Sequence, residues 1–159
     1  MVAQKTLEIH VLLHNIRSAH NVGSIFRTAD AVAVSKIYLS GYTPAPVDRF
    51  GRARADISKA SLGAEKTVAW ESVGDIQKFM KDMKHNGFQI CAVEQDDTSI
   101  DYREIPRKEK ILIIMGNEVD GVGKEILSMC DTIAEIPMLG EKESLNVSVA
   151  AGVVLYCLV

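Results

Sequence analysis

Short apolar runs rich in β-branched residues recur along the chain with helical stretches between them, and this alternation limits the available folds more than any other feature. Residues 9–13, 37–40, 67–70, 88–93, 111–115 and 132–136 have the length and composition of strands. Residues 21–34, 73–85 and 124–129 have helical spacing. Strands in alternation with helices imply an α/β fold, a mostly parallel sheet with helices on both faces. General rules of chain connection predict a doubly wound, unknotted sheet. A length of 159 residues suits one domain, which buries roughly 70% of the unfolded chain's surface. No repeat of 20 to 50 residues and no Pro- or Gly/Ser-rich linker divides the chain, so 1–159 is expected to be a single domain.

The first ten residues contain neither the apolar core of a signal peptide nor an Arg-rich transit pattern, which makes the cytoplasm the expected location. The longest apolar run, 145–159, falls short of the roughly 20 residues that span a membrane and contains Asn146 and Ser148, so a buried helix is expected and no membrane. Its end at Val159, without a polar cap, is the pattern expected if a short tail has been lost. Cys91, Cys130 and Cys157 are odd in number, widely spaced and set in apolar stretches, as reduced core thiols would be. His10 and His14 fall in and after a predicted strand, and His20 and His85 stand alone, so no metal site is expected.

Net charge is −3, yet Arg49, Arg52, Arg54, Lys59 and Lys66 cluster, opposed within that span only by Asp56 and Glu65. Such a run is either a solvated loop or a local patch for phosphates within an acidic whole. It overlaps the one long connection, 41–56, which also contains Pro44 and Pro46; long connections in compact domains are usually functional. Arg49, Arg52 and Arg54 are the candidate phosphate contacts, and they become RNA contacts only if the partner is a nucleic acid.

Three segments combine polar residues with elements in a specific order. The first, Asn15-Ile-Arg-Ser-Ala-His-Asn-Val-Gly-Ser-Ile-Phe-Arg, spaces Asn21 and Arg27 by six residues. That is nearly two helical turns, about 9 Å along an axis, and the expectation is that both side chains lie toward one side of a single helix. The plain alternative makes Arg27 an exposed helix residue and Asn21 an N-terminal cap. The second, Ile111-Leu-Ile-Ile-Met-Gly-Asn-Glu-Val-Asp-Gly-Val-Gly, ends a strand at Gly116 and sets backbone donors at the edge where open parallel sheets bind ligands. It matches neither common nucleotide-binding glycine pattern. In the third, Ile136-Pro-Met-Leu-Gly-Glu-Lys-Glu-Ser-Leu-Asn-Val-Ser, Ser144, Asn146 and Ser148 stand where a helix begins, with Ser144 as cap. Any buried C-terminal helix could share that composition.

Taken together and in this order, with Ser58-Lys-Ala-Ser-Leu-Gly-Ala-Glu-Lys between them, these segments resemble the SpoU/TrmH family of RNA 2'-O-methyltransferases of the SPOUT superfamily, over essentially the whole chain. The resemblance implies a C-terminal trefoil knot, S-adenosylmethionine as cofactor, and a homodimer with its active site at the subunit interface. It implies transfer RNA as the first-choice substrate, with ribosomal RNA next. Asn21, Arg27, Glu118, Ser144 and Asn146 are the implied catalytic residues. Gly116, Asn117, Glu118, Ile136, Met138, Leu145, Asn146 and Ser148 are the implied cofactor contacts. A guanidinium is a poor base, so the Arg27 position is read as a phosphate clamp, with the proton acceptor open. Val119 departs from the pattern, since many members have Gly after the acidic residue; a positive φ there would require a different loop. The extra N-terminal RNA-binding domain of many relatives is absent from these residues. Two other readings stay open: a non-catalytic RNA-binding module of the same fold, and an unrelated nucleotide-binding α/β protein.

Overall fold

The structure is a computed structural model and describes residues 6–159. Residues 1–5, part of the segment read above for targeting signals, lie outside the described residues. Strands β1 (Glu8–His14), β2 (Lys36–Ser40), β3 (Ala69–Val73), β4 (Gln89–Val93), β5 (Ile100–Asp101), β6 (Lys110–Met115) and β7 (Thr132–Glu135) form a 7-stranded sheet in the order β3-β2-β1-β6-β4-β7-β5. Every pairing is parallel. The helices are α1 (Ala19–Ala31), α2 (Ala55–Ser61), α3 (Ala64–Thr67), α4 (Ile76–His85), α5 (Lys124–Ser128) and α6 (Val147–Leu158).

Burial on both faces explains why the central strands read as unbroken apolar runs. Ile9, Val11 and Leu13 of β1, with Ile111, Ile113 and Met115 of β6, belong to the core under α1 and α6. Leu12, Leu112 and Ile114 belong to the opposite core, with Met80 and Met83 of α4 and Ile126 of α5. Each such side chain contributes about 1.5–3 kcal/mol on burial. The result is the α/β fold expected, a parallel sheet covered on both faces.

Element ends depart from the sequence reading where capping or a turn wins over periodicity. Helix α1 starts earlier than residue 21 because Ser18 is its cap, with Oγ accepting from Asn21 N at 3.1 Å. It ends before Ala33, which adopts φ 58. Thr67, read as the start of a strand, closes α3 and donates from Oγ1 to Asp30 Oδ1 at 2.8 Å. Val73 ends β3 rather than opening a helix, and Asp75 caps α4 instead, accepting from Lys78 N at 3.0 Å. The long connection stops at Arg54, the residue before α2; α2 packs along α1 and escaped the periodicity reading because of its shortness.

Helix α6 begins at Val147, so its cap is Asn146 and not Ser144. Asn146 Oδ1 accepts from Ser148 N at 2.9 Å and Val149 N at 3.4 Å. Helices α1 and α6 lie side by side.

Candidate active site

At the C-terminal ends of the strands, β1 leads to α1 on one face and β6 leads to α5 on the other, so neighbouring loops part company and open a crevice. A cleft of about 270 Å³ lies at the ends of β4, β6 and β7, lined by residues 93–95 and 115–119 together with Ile136, Met138, Glu143, Ser144, Leu145 and Val147. A second depression, about 360 Å³, adjoins it and is lined by Arg17, Ser18, Asn21, Asp120 and the shared residues Asn117, Glu118 and Val119.

The loop after β6 holds the two together. A Cβ on Gly116 would sit 2.5 Å from the Gly121 carbonyl carbon and the Val122 nitrogen, so only glycine lets the loop fold back this closely. Asn117 and Gly121 exchange backbone hydrogen bonds of 2.9 and 3.0 Å. The Asn117 side chain accepts from Val119 N and Asp120 N, both at 2.8 Å, and donates to Asn15 O at 2.9 Å and to the Tyr42 hydroxyl at 2.7 Å. Glu94 Oε2 accepts from Val122 N at 2.9 Å. Positive φ falls on Gly121 and Gly123, not on Val119, whose side chain is 90% exposed. The departure at Val119 therefore demands no special backbone.

Three segments far apart in sequence meet at a buried amide. Asn21 Nδ2 donates to Glu118 Oε1 at 3.3 Å, and Asn21 Oδ1 accepts from Asn146 Nδ2 at 3.2 Å. Glu118 Oε2 also accepts from Arg17 N at 3.3 Å. Burial alone would push the Glu118 carboxyl up, but N–H groups of its own backbone, Arg17, Asn21 and Ser18 outweigh it and hold it below the usual range. Glu118 is thus a carboxylate at neutral pH and an anchor for Asn21.

The structure gathers Gly116, Asn117, Glu118, Ile136, Met138, Ser144 and Leu145 on the cleft wall. Asn146 and Ser148 do not line it; Ser148 Oγ donates to Asn146 Oδ1 at 2.5 Å and so serves the helix cap. Arg27 does not share a side with Asn21, because six residues leave a mismatch of about a third of a turn. It is exposed, lines neither depression, and makes no hydrogen bond or ion pair among the described residues. Arg52 pairs with Asp48 at 3.0 Å and Arg54 with Asp56 at 2.8 Å, whereas Arg49 has no ion pair among the described residues.

Sequence reasoning missed Tyr42, Glu94 and Gln95. Gln95 Nε2 donates to Glu143 O at 2.7 Å and ties the segment before α6 to the loop after β4. The position of Glu94 and Gln95 just past β4, on the ligand-binding edge, was the available signal. His14 and Ser40 also meet on this edge, but both ring nitrogens are engaged: Nδ1–H donates to Ser40 Oγ at 2.8 Å and Nε2 accepts from Asn15 Nδ2 at 3.3 Å. Burial lowers the pKa of His14, consistent with that neutral state.

A parallel sheet with loops parting at its C-terminal edge, a cleft there and an amide–carboxylate cluster beside it define a ligand-binding α/β protein of the open-sheet class. The sequence pattern of the SpoU rRNA Methylase family matches residues 8–156, and the chain belongs to that family. It is 33% identical to a tRNA (guanosine(18)-2'-O)-methyltransferase of Aquifex aeolicus, over 98% of this chain and 71% of the relative. The Escherichia coli K12 protein of the same name is 33% identical over 98% of this chain and 65% of the relative. An AdoMet-bound rRNA methyltransferase from Sinorhizobium meliloti has a similar structure, with a TM-score of 0.84 at 30% identity, covering 95% of this chain and 55% of the other. The chain thus spans only part of each.

Proposed function

We propose that this chain transfers a methyl group from S-adenosylmethionine to a ribose 2'-hydroxyl of RNA, transfer RNA before ribosomal RNA. The observation that carries this reading is the meeting of Glu118, Asn21 and Asn146 at the border of two depressions, one suited to a cofactor and the other open to substrate. The cleft fits the cofactor chemically. Val93, Met115, Ile136 and Leu145 offer apolar surface for a base, while Glu94, Glu135 and Glu143 complement a cation. When bound, S-adenosylmethionine supplies an electrophilic methyl group on its sulfonium.

In this reading the chain's own residues orient and stabilise. Asn21, held between Glu118 and Asn146, fixes the border of the two depressions, and Ser144 lines the cofactor side. Arg27 clamps an RNA phosphate. Residues 1–159 act as one domain, in the reducing cytoplasm where free Cys91, Cys130 and Cys157 are stable. The segment from Ile136 through α6, returning from β7 to pack on α1, is the proposed threaded end of a trefoil knot. Two copies pair through α6, whose Val149 and Tyr156 are 51% and 58% exposed on one stripe, and this pairing presents Arg27 to the neighbouring site.

The test is incubation with labelled S-adenosylmethionine and separated RNA fractions, followed by nucleoside mass analysis. Ribose-methylated nucleosides from the transfer RNA fraction are expected. Base-methylated product overturns the reading, and RNA binding without any transfer favours the non-catalytic module.

A further inference from the structure

We propose that the tip of the connection between β2 and α2 is a stacking site for an unpaired RNA base, with Phe50 as platform and Arg49 as phosphate contact. The proposal rests on RNA being the substrate. The connection is a built finger: Val47 pairs antiparallel with Ala53, Arg54 N donates to Pro46 O at 2.9 Å, and Asp48 N donates to Arg52 O at 2.8 Å. Its tip is pinned by one side chain, since Asp48 Oδ1 accepts from Phe50 N at 2.8 Å and Arg52 N at 3.0 Å. These bonds hold the Asp48 carboxyl below its usual range, the Arg52 backbone N–H first among them.

On this ordered turn the Phe50 ring is 64% exposed, outside both hydrophobic cores. Its ring touches two guanidinium groups, Arg49 at 4.8 Å and Arg52 at 4.9 Å from the centroid. An exposed cation–π contact is weak beside the stacking of a nucleobase on an aromatic ring, so an incoming base displaces a guanidinium, which then meets the adjacent phosphate. Arg52 is tethered to Asp48 and Arg54 to Asp56. Arg49 is therefore the tip arginine free to make that move. Stacking tolerates any base but requires an unpaired one, so the finger distinguishes loops and bulges from duplex rather than reading sequence.

The experiment measures binding to a single-stranded oligoribonucleotide carrying 2-aminopurine and to the same strand in a duplex, for the parent, Phe50→Ala, Phe50→Trp and Arg49→Ala. Phe50→Ala should weaken single-strand binding about fivefold or more with an unchanged salt slope, and Phe50→Trp should keep it. Arg49→Ala should lower the salt slope by about 0.7. S-adenosylmethionine affinity should stay the same in all four. If the parent binds RNA and Phe50→Ala binds the single strand equally well, or if Phe50→Ala turns a dimer into a monomer by light scattering, the stacking assignment is wrong. A parent that binds neither RNA but binds the cofactor overturns the RNA reading itself, and the finger proposal with it.

Discussion

Asn21 is the residue on which the site turns, because its one amide satisfies Glu118 on one side and Asn146 on the other. Asn21→Ala leaves a part-buried carboxylate and the amide of a helix cap short of a partner, which costs about 1–3 kcal/mol. Urea unfolding should show that loss, and methyl transfer should fall by at least about a hundredfold, more than destabilisation of a still-folded protein explains. Arg27 makes the opposite prediction. It has no hydrogen bond or ion pair among the described residues, so Arg27→Ala should change stability by less than about 0.5 kcal/mol while abolishing transfer. Isothermal titration should find cofactor binding intact, and transfer at the parent rate would remove Arg27 from the mechanism. Arg27→Lys separates charge from the planar fork. All these residues were legible as motif positions, but their partners were not. Ser144 looked like the helix cap because its hydroxyl precedes an apolar run, yet the chain turns two residues later, on Asn146.

At the scale of elements, the helices divide by what covers them. Helix α1 is buried through Val22, Ile25, Phe26 and Ala29 against the sheet and α6, whereas α6 is apolar nearly all round and leaves Val149 and Tyr156 outside. A helix apolar on every side is ordinarily buried on every side. If two copies pair through this face as proposed, the parent should scatter light as about twice 17.4 kDa and Tyr156→Glu as a monomer with the circular dichroism of the parent. An unchanged dimer would exclude this face. The strands β1, β2, β4, β6 and β7 were legible to within a residue or two, since burial of the first four on both faces leaves apolar runs in the sequence. Helices α2 and α3 were not, because α2 is held by tertiary packing on α1 and α3 is a single turn.

For the whole molecule, the buried Cys91 thiol and the half-buried Cys130 thiol set an alkaline limit. Desolvation pushes Cys91 up to about 12 and Cys130 up to about 11, from 9.0 in an exposed chain. The folded state thus keeps protons that the unfolded state releases. The stability this contributes is fully present below pH 9 and is lost as pH rises from about 9 toward 11 and 12. Denaturation midpoints should fall over that window and recover in Cys91→Ala/Cys130→Ala relative to their own neutral value. Cys91, which is fully buried, should not react with a maleimide at pH 7.5 until the chain unfolds.

What the sequence determined alone was the α/β class, the strands and the polar residues that gather at the sheet's C-terminal edge, because periodicity, β-branching and motif spacing are local properties. Only the tertiary structure decided that Asn21 meets Glu118 across 97 positions and Asn146 across 125, and that Arg27 points elsewhere. Those contacts depend on β6 lying beside β1 and on α6 returning to pack against α1. Such long-range order arises when the chain buries both faces of its sheet at once, a global condition that no short window of sequence contains.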